Sequence, residues 1–226
     1  MGDFNVLISG SGIASSTFAY WLLRANPNAR ITIVERDPQL RLTGASVDIR
    51  SSAVDVIKWM GVEKKIRQHG TNEQGVRFVN GDDSIICTFE STGKTEVQSF
   101  TSEYEIFRGE LAKILIDPIV ERVNLIFDEF VESYEAHDDG VTVTFARSKE
   151  VKKYDLLVAA DGLGSKIRGI MLDAPSRDQV QADRGAHAAY FTIRKDLLNG
   201  SKLAKWCKCF ETLDPFHSCR CDWLID

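Results

Sequence analysis

Apolar and polar positions follow blocks of changing period along this chain, and the blocks predict its elements. Phe4-Asn5-Val6-Leu7-Ile8 is a short apolar run that stops at Ser9-Gly10-Ser11-Gly12, the pattern of a strand entering a tight turn. Ile13, Ala14, Phe18, Ala19, Leu22 and Leu23 then recur at helical spacing to about Ala25, where Asn26-Pro27-Asn28 breaks the helix. Ile31-Thr32-Ile33-Val34 is a second strand, ending at Glu35, so the segment reads as a βαβ unit. Ser52 with Asp55 three residues later predicts a capping box, opening a helix that carries Val54, Ile57 and Met60 inward. Between about Gly75 and Ser99 the period falls to two. Val76 to Val79, Ser84 to Phe89 and Glu96 to Gln98 read there as antiparallel strands.

The helical period returns after Tyr104-Glu105-Ile106-Phe107. Arg108-Gly109-Glu110-Leu111 opens a helix with Leu111, Ile114, Leu115 and Val120 facing inward and a kink or stop at Pro118. Val123 to Phe127, Glu129 to Ala136 and Val141 to Phe145 are strands, with Asp138-Asp139-Gly140 as the hairpin turn between the last two. Tyr154 to Ala160 is nearly all apolar, as expected of a strand covered on both faces. It ends in Asp161-Gly162-Leu163-Gly164-Ser165-Lys166-Ile167-Arg168. Ser165 can cap the next helix, whose free N–H groups would make an anion-friendly terminus; a plain Asp-Gly turn is the competing reading.

The first turn carries the chemistry. Gly10-x-Gly12-x-x-Ser15 is a dinucleotide fingerprint with its third glycine replaced by another small residue. Gly10 permits the tight turn, Gly12 lets the backbone approach a pyrophosphate at the helix N-terminus, and the third position serves helix–strand packing. Glu35 lies twenty residues after Ser15, where a carboxylate can accept from ribose hydroxyls. A simple glycine turn in an α/β domain is the alternative. Asp48 and Arg50 likewise read as a site pair or as a surface ion pair on a short strand. Other chemistries find no pattern: Gly93-Lys94-Thr95 lacks the earlier glycine of a P-loop, Thr88 standing there instead. The histidines His69, His137, His187 and His217 have no metal-ligand spacing, and no G-x-S-x-G elbow occurs.

Composition narrows the class. Of 226 residues 43% are hydrophobic and 27% charged, which excludes a disordered tail and a small disulfide scaffold. The net charge of −5 and the lack of any basic block argue against a nucleic-acid or anionic-membrane binder. The longest apolar stretch, Phe18 to Leu23, is too short to span a bilayer, and Met1-Gly2-Asp3 opens no signal peptide, so a cytoplasmic location is expected.

Taken in order, Gly10-x-Gly12-x-x-Ser15 with Glu35-Arg36, Arg108-x-x-Leu111, and Ala160-Asp161-Gly162-x-x-Ser165-x-x-Arg168 resemble the FAD-dependent monooxygenases related to para-hydroxybenzoate hydroxylase. Gly44 to Arg50 and Tyr104 to Leu111 are similar to the tetracycline-inactivating and secondary-metabolite branch, and the likeness spans about residues 4 to 205. The resemblance implies an α/β fold: a Rossmann-like FAD-binding domain with a parallel sheet, plus part of an antiparallel-sheet substrate domain. FAD-binding segments are expected at 1–75 and 101–175, substrate-domain segments at 76–100 and 176–206, and a divergent Cys-rich tail at 207–226. Gly10, Gly12 and Ser15 would form the pyrophosphate turn, Glu35 would meet the adenosine ribose and Arg36 would lie beside the adenosine. Arg108 would reach toward the ribityl-pyrophosphate, Asp48 and Arg50 would sit near the flavin or its entrance, and Asp161 and Gly162 would serve FAD binding and NAD(P)H interaction. The reaction implied uses NAD(P)H and O₂ to form a flavin C4a-hydroperoxide, which delivers one oxygen atom to an aromatic, enolic or olefinic small molecule. No protein nucleophile or base is named, because the flavin carries the hard chemistry.

Beyond Trp206 the likeness stops. Cys207, Cys209, Cys219 and Cys221 crowd the last twenty residues, with no sustained periodicity. A zinc site, with His217 as an alternative ligand, is one reading; an end of the family's frame before its Gly-Asp motif is the favoured one. Three functional readings follow: an FAD-dependent monooxygenase, a truncated non-catalytic remnant, and a flavin-free NAD(P)-dependent oxidoreductase.

Overall fold

A computed structural model describes residues 4–90, 103–172, 200–201, 203–209 and 219–223. The chain divides into two compact units, Met1–Thr43 with Gly109–Ala188, and Gly44–Arg108 with Ala189–Asp226. Residues 44–75 thus cluster with the segment that follows them, whereas the expected boundary lay at residue 75. The expected strand Glu96 to Gln98, and His187, lie outside the described residues.

In the first unit, β1 (Asn5–Ser9), α1 (Ile13–Ala25) and β2 (Arg30–Glu35) form the anticipated βαβ unit. The helix α4 (Arg108–Ile116, its first residue counted with the second unit), a 3-10 turn at Val120–Arg122, and strands β7 (Asn124–Phe127), β8 (Val131–His137), β9 (Gly140–Phe145), β10 (Val151–Tyr154) and β11 (Leu156–Ala159) follow, and α5 (Lys166–Met171) closes the described part. A parallel sheet has the order β11-β1-β2-β7, with Val6 opposite Ile31 on one side and Leu156 on the other. A three-stranded antiparallel sheet has the order β10-β9-β8.

The near-continuous apolar runs of β1 and β2 exist because both faces of the parallel sheet are covered. Val6, Ile8, Ile31 and Ile33 pack on Ala19, Leu23, Ile116 and Ile119. Leu7 and Val34 point the other way, into Val131, Val141, Val143, Phe145, Tyr154 and Ile167. The helix α1 buries Ser15, Ser16, Ala19 and Leu23, while Phe18 is exposed. Small side chains on that stripe let the helix approach the sheet closely. Two expectations fail. The strand β11 is an edge strand among the described residues, and Leu156 stays 37% exposed. Pro118 ends α4 as expected, but Ile119 fills the core and Val120 turns outward.

A buried carboxylate ties the turn after β9. Glu129 accepts from the backbone N–H groups of Phe130, Arg147 and Ser148 at 3.0, 2.9 and 2.9 Å. Burial alone would push its pKa up; the backbone donors of Arg147 and Ser148 outweigh this and bring it down to about 2.

The second unit contains β3 (Ser46–Asp48), α2 (Ser52–Trp59), α3 (Glu63–Gln68), β4 (Gly75–Asn80), β5 (Ile85–Glu90), β6 (Glu105–Phe107), β12 (Leu203–Cys209) and β13 (Cys219–Trp223). Its larger sheet runs β13-β12-β4-β5, with β4 and β5 antiparallel as read from their period, and β3 pairs with β6. The expected capping box at α2 does not form: Ser51 is the N-cap, at φ 52°, and no side chain caps the helix. Ile57 and Met60 are nonetheless buried. Where no periodicity was visible, β12 and β13 pair antiparallel, with Cys207 opposite Cys221 and Cys209 opposite Cys219. No helix among the described residues is long and apolar enough to cross a membrane.

Candidate functional site

The strands β1, β2 and β11 are parallel and end at one edge of the first unit's sheet, and the glycine turn lies at that edge. Gly10 has φ +96°, and a Cβ there would stand 2.5 Å from the Ala160 carbonyl oxygen. Only glycine fits a left-handed backbone pressed against a neighbouring chain. The Gly10 N–H donates to the Val34 carbonyl at 2.8 Å, so the turn is held between the ends of β2 and β11. That edge brings together Gly10, Gly12, Ser15, Glu35 and the Asp161-Gly162 pair.

Gly12 has a different reason to be glycine. It is the N-cap of α1, with an ordinary extended backbone; no side chain caps the helix, and nothing lies within 4 Å of a Cβ placed there. The first N–H groups of a helix lack intrahelical acceptors and carry the positive end of its dipole. An uncapped terminus with open space above a glycine fits an anionic group. Ser15 is fully buried and its hydroxyl donates back to the Gly12 carbonyl at 2.7 Å, a packing role suited to the third fingerprint position.

Glu35 sits beside this turn and is oriented by it. Its Oε2 accepts from the backbone N–H of Ser11 at 2.8 Å and from the Ser11 hydroxyl at 3.0 Å. Its Oε1 accepts from the Asp37 N–H at 3.0 Å. Sequence reasoning missed Ser11 and Asp37; a hydroxyl residue between the two glycines was the available signal for the first. Arg36 is exposed.

Asp161 departs from expectation. Its carboxylate accepts from the Ser165 hydroxyl and from the N–H groups of Lys166 and Ile167, at 2.5, 3.0 and 3.5 Å. The Ser165 Oγ accepts in turn from the Arg168 N–H at 3.0 Å, as its expected capping role requires. The guanidinium of Arg168 donates to the Gly162 and Leu163 carbonyls. The first N–H groups of α5 are therefore occupied by the protein's own oxygens, and this six-residue helix presents no free anion-binding terminus.

The remaining expected residues belong to the second unit. Asp48 and Arg50 form an ion pair at 2.9 Å, both about one-third exposed. Arg108 is exposed; its N–H donates to the Ala45 carbonyl at 3.2 Å and its stem lies against Gly44. Among the described residues, no group of three or more His, Cys, Asp or Glu could hold a metal ion.

An uncapped helix terminus, a glycine turn and an oriented carboxylate fit the pyrophosphate and ribose of a dinucleotide such as FAD, and comparison with known proteins agrees. The chain is 36% identical over 195 residues to the FAD-dependent monooxygenase asL4 of Sarocladium schorii, a match covering 85% of this chain and 45% of that one. The flavin-dependent monooxygenase eupH of a Phoma species is 36% identical over 199 residues, with the same coverage. The solved structure of the tetracycline destructase Tet(51) superposes with a TM-score of 0.64 at 34% identity, covering 76% of this chain and 43% of that one. The chain thus spans about half the length of the curated relatives it matches. Residues 3–181 match the family model described as FAD binding domain, and the chain belongs to that family.

Proposed function

We propose that this chain binds FAD at the Gly10–Gly12 turn, as the cofactor-binding part of a monooxygenase. The reaction would hydroxylate or epoxidise an aromatic, enolic or olefinic small molecule with NAD(P)H and O₂, in secondary metabolism and in the cytoplasm. The observation that carries this reading is the uncapped N-terminus of α1 beside a carboxylate held in place by the same turn. The names of relatives such as asL4 and eupH support the reaction class. In this reading residues 76–100 and 176–206 contribute to a substrate domain.

Each residue has a role in binding or orientation. Gly10 and Gly12 let the backbone approach the pyrophosphate, Ser15 packs the helix on the sheet beneath it, and Glu35 accepts from the adenosine ribose. Arg36 lies beside the adenosine, and Arg108 offers charge toward the ribityl-pyrophosphate. Asp48 and Arg50 stand near the flavin entrance, where their mutual ion pair keeps both charges satisfied. Asp161 and Gly162 shape the turn that abuts Gly10, with Asp161 acting through the cap of α5. When bound, FAD supplies hydride acceptance from NAD(P)H and oxygen transfer to the substrate; the chain positions it and excludes water.

The test is a visible absorption spectrum of the purified chain after incubation with FAD and desalting, followed by NADPH in air. Retained flavin bands and NADPH consumption are expected. Retained flavin without NADPH consumption would make the chain a non-catalytic FAD-binding unit. A colourless protein with dehydrogenase activity would replace the proposal with a flavin-free oxidoreductase.

A further inference from the structure

We propose that Ser11 is a positioning residue for the cofactor's adenosine ribose, turning Glu35 so that Oε1 alone accepts a ribose hydroxyl. The proposal rests on the FAD reading above. Ser11 occupies a fingerprint position at which any residue is allowed, yet it is 3% exposed and spends both its donors on one oxygen atom. A carboxylate has about four acceptor positions, two on each oxygen. Oε2 receives the Ser11 N–H and hydroxyl, so both its positions are filled. Oε1 receives the Asp37 N–H, so one position remains there.

The donors come from both sides of the carboxylate: Ser11 from the turn before α1, Asp37 from the loop after β2. Rotating the Glu35 side chain would break hydrogen bonds to a charged acceptor, the stronger class of such bonds. The carboxylate is therefore preorganised before any ligand arrives, and a ligand need not order it. The same donor set discriminates against glutamine at position 35. A carboxamide must place its NH₂ where an N–H already points, at Ser11 or at Asp37, and two donors cannot pair. A single remaining acceptor position also means that one hydroxyl of the ribose diol, rather than both, is held by Glu35.

The experiment titrates FAD into the purified chain, following the quenching of flavin fluorescence, for wild type, S11A, S11T, E35A and S11A/E35A. S11A should weaken FAD binding by about tenfold, with S11T, which keeps the hydroxyl, close to wild type. In the E35A background the S11A change should have no further effect, because the group it positions is gone. A merely structural role for Ser11 would persist in that background. Equal effects of S11A in both backgrounds would overturn the proposal, as would S11A binding like wild type while E35A binds poorly; either result leaves the FAD reading standing. E35A binding FAD like wild type would instead overturn the ribose role of Glu35, and a wild type that binds no FAD would overturn the whole reading. The orientation itself is tested without ligand by the Ser11 amide proton resonance, which should lie downfield in wild type and move upfield in E35A. An unmoved resonance would overturn the geometry.

Discussion

The turn after β1 and the turn after β11 leave neighbouring parallel strands at the same sheet edge, and each leads into a helix. After β1, Gly12 caps a thirteen-residue helix with main chain alone and leaves open space above the first N–H groups. After β11, Asp161 and Ser165 take the N–H groups of Lys166, Ile167 and Arg168 for themselves. Both turns are rich in small residues and both follow apolar strands. What separates them is a pair of side chains: the Asp161 carboxylate and the Ser165 hydroxyl close the second terminus, and no side chain caps the first, which is left to a ligand. Glu129 shows the closed arrangement again without a helix, holding the N–H groups of Arg147 and Ser148.

The comparison breaks most severely at Gly10, which touches both turns. In Gly10→Ala the methyl would meet the Ala160 carbonyl while the backbone sits at φ +96°. Strain and overpacking together should cost about 3 kcal/mol, roughly 6–12 °C in Tm, read by thermal melting of the ligand-free chain. An unchanged Tm would mean that the two turns do not abut. Asp161→Ala should cost about 1–2 kcal/mol by freeing the N–H groups of Lys166 and Ile167, while Asp161→Asn, which keeps an oxygen acceptor there, should recover most of it. Equal melting of both variants would show that the α5 terminus is not closed by this side chain.

Acid tests the same device at Glu129. Its carboxyl is lowered from 4.5 to about 2 in the folded state. A depressed folded pKa contributes stability that is present above the unfolded value and lost as pH falls toward the folded one. Wild type should therefore lose stability between about pH 4.5 and 2, and Glu129→Gln should be less stable at neutral pH with a flatter profile across that window. Urea titrations at stepped pH measure it; parallel profiles for the two chains would contradict the assignment.

Much of this arrangement is legible in the sequence, and the failures have physical causes. The βαβ unit, the Asp138-Asp139-Gly140 hairpin turn and the Gly10 turn follow from period and glycine placement, which are local properties. The cap of α2 does not, because Ser51 adopts φ 52° and starts the helix one residue before the expected box. The apolar spacing of Ile13 to Leu23 locates α1 but not its buried stripe, because packing distance favours Ser15, Ser16 and Ala19 over the larger Phe18. The apolar run at Leu156 to Ala159 resembles a covered strand, yet it is an edge among the described residues. Open and closed helix termini are the hardest to tell apart, since Asp161 could face a ligand or its own helix, and only the backbone path decides.

One substitution turns the first terminus into the second. Gly12 has an allowed backbone for any residue and empty space at its Cβ, so Gly12→Asp places an N-cap carboxylate over the first N–H groups of α1. Calorimetric titration of FAD into wild type and Gly12→Asp, beside the melting of both ligand-free chains, is the most direct test. The ligand-free variant should be as stable as wild type or more so, by about 0.5 kcal/mol. Its FAD affinity should fall at least about tenfold through repulsion of the pyrophosphate. Equal FAD binding by the two chains, or no binding by wild type, would contradict the claim that the open terminus of α1 is the cofactor site.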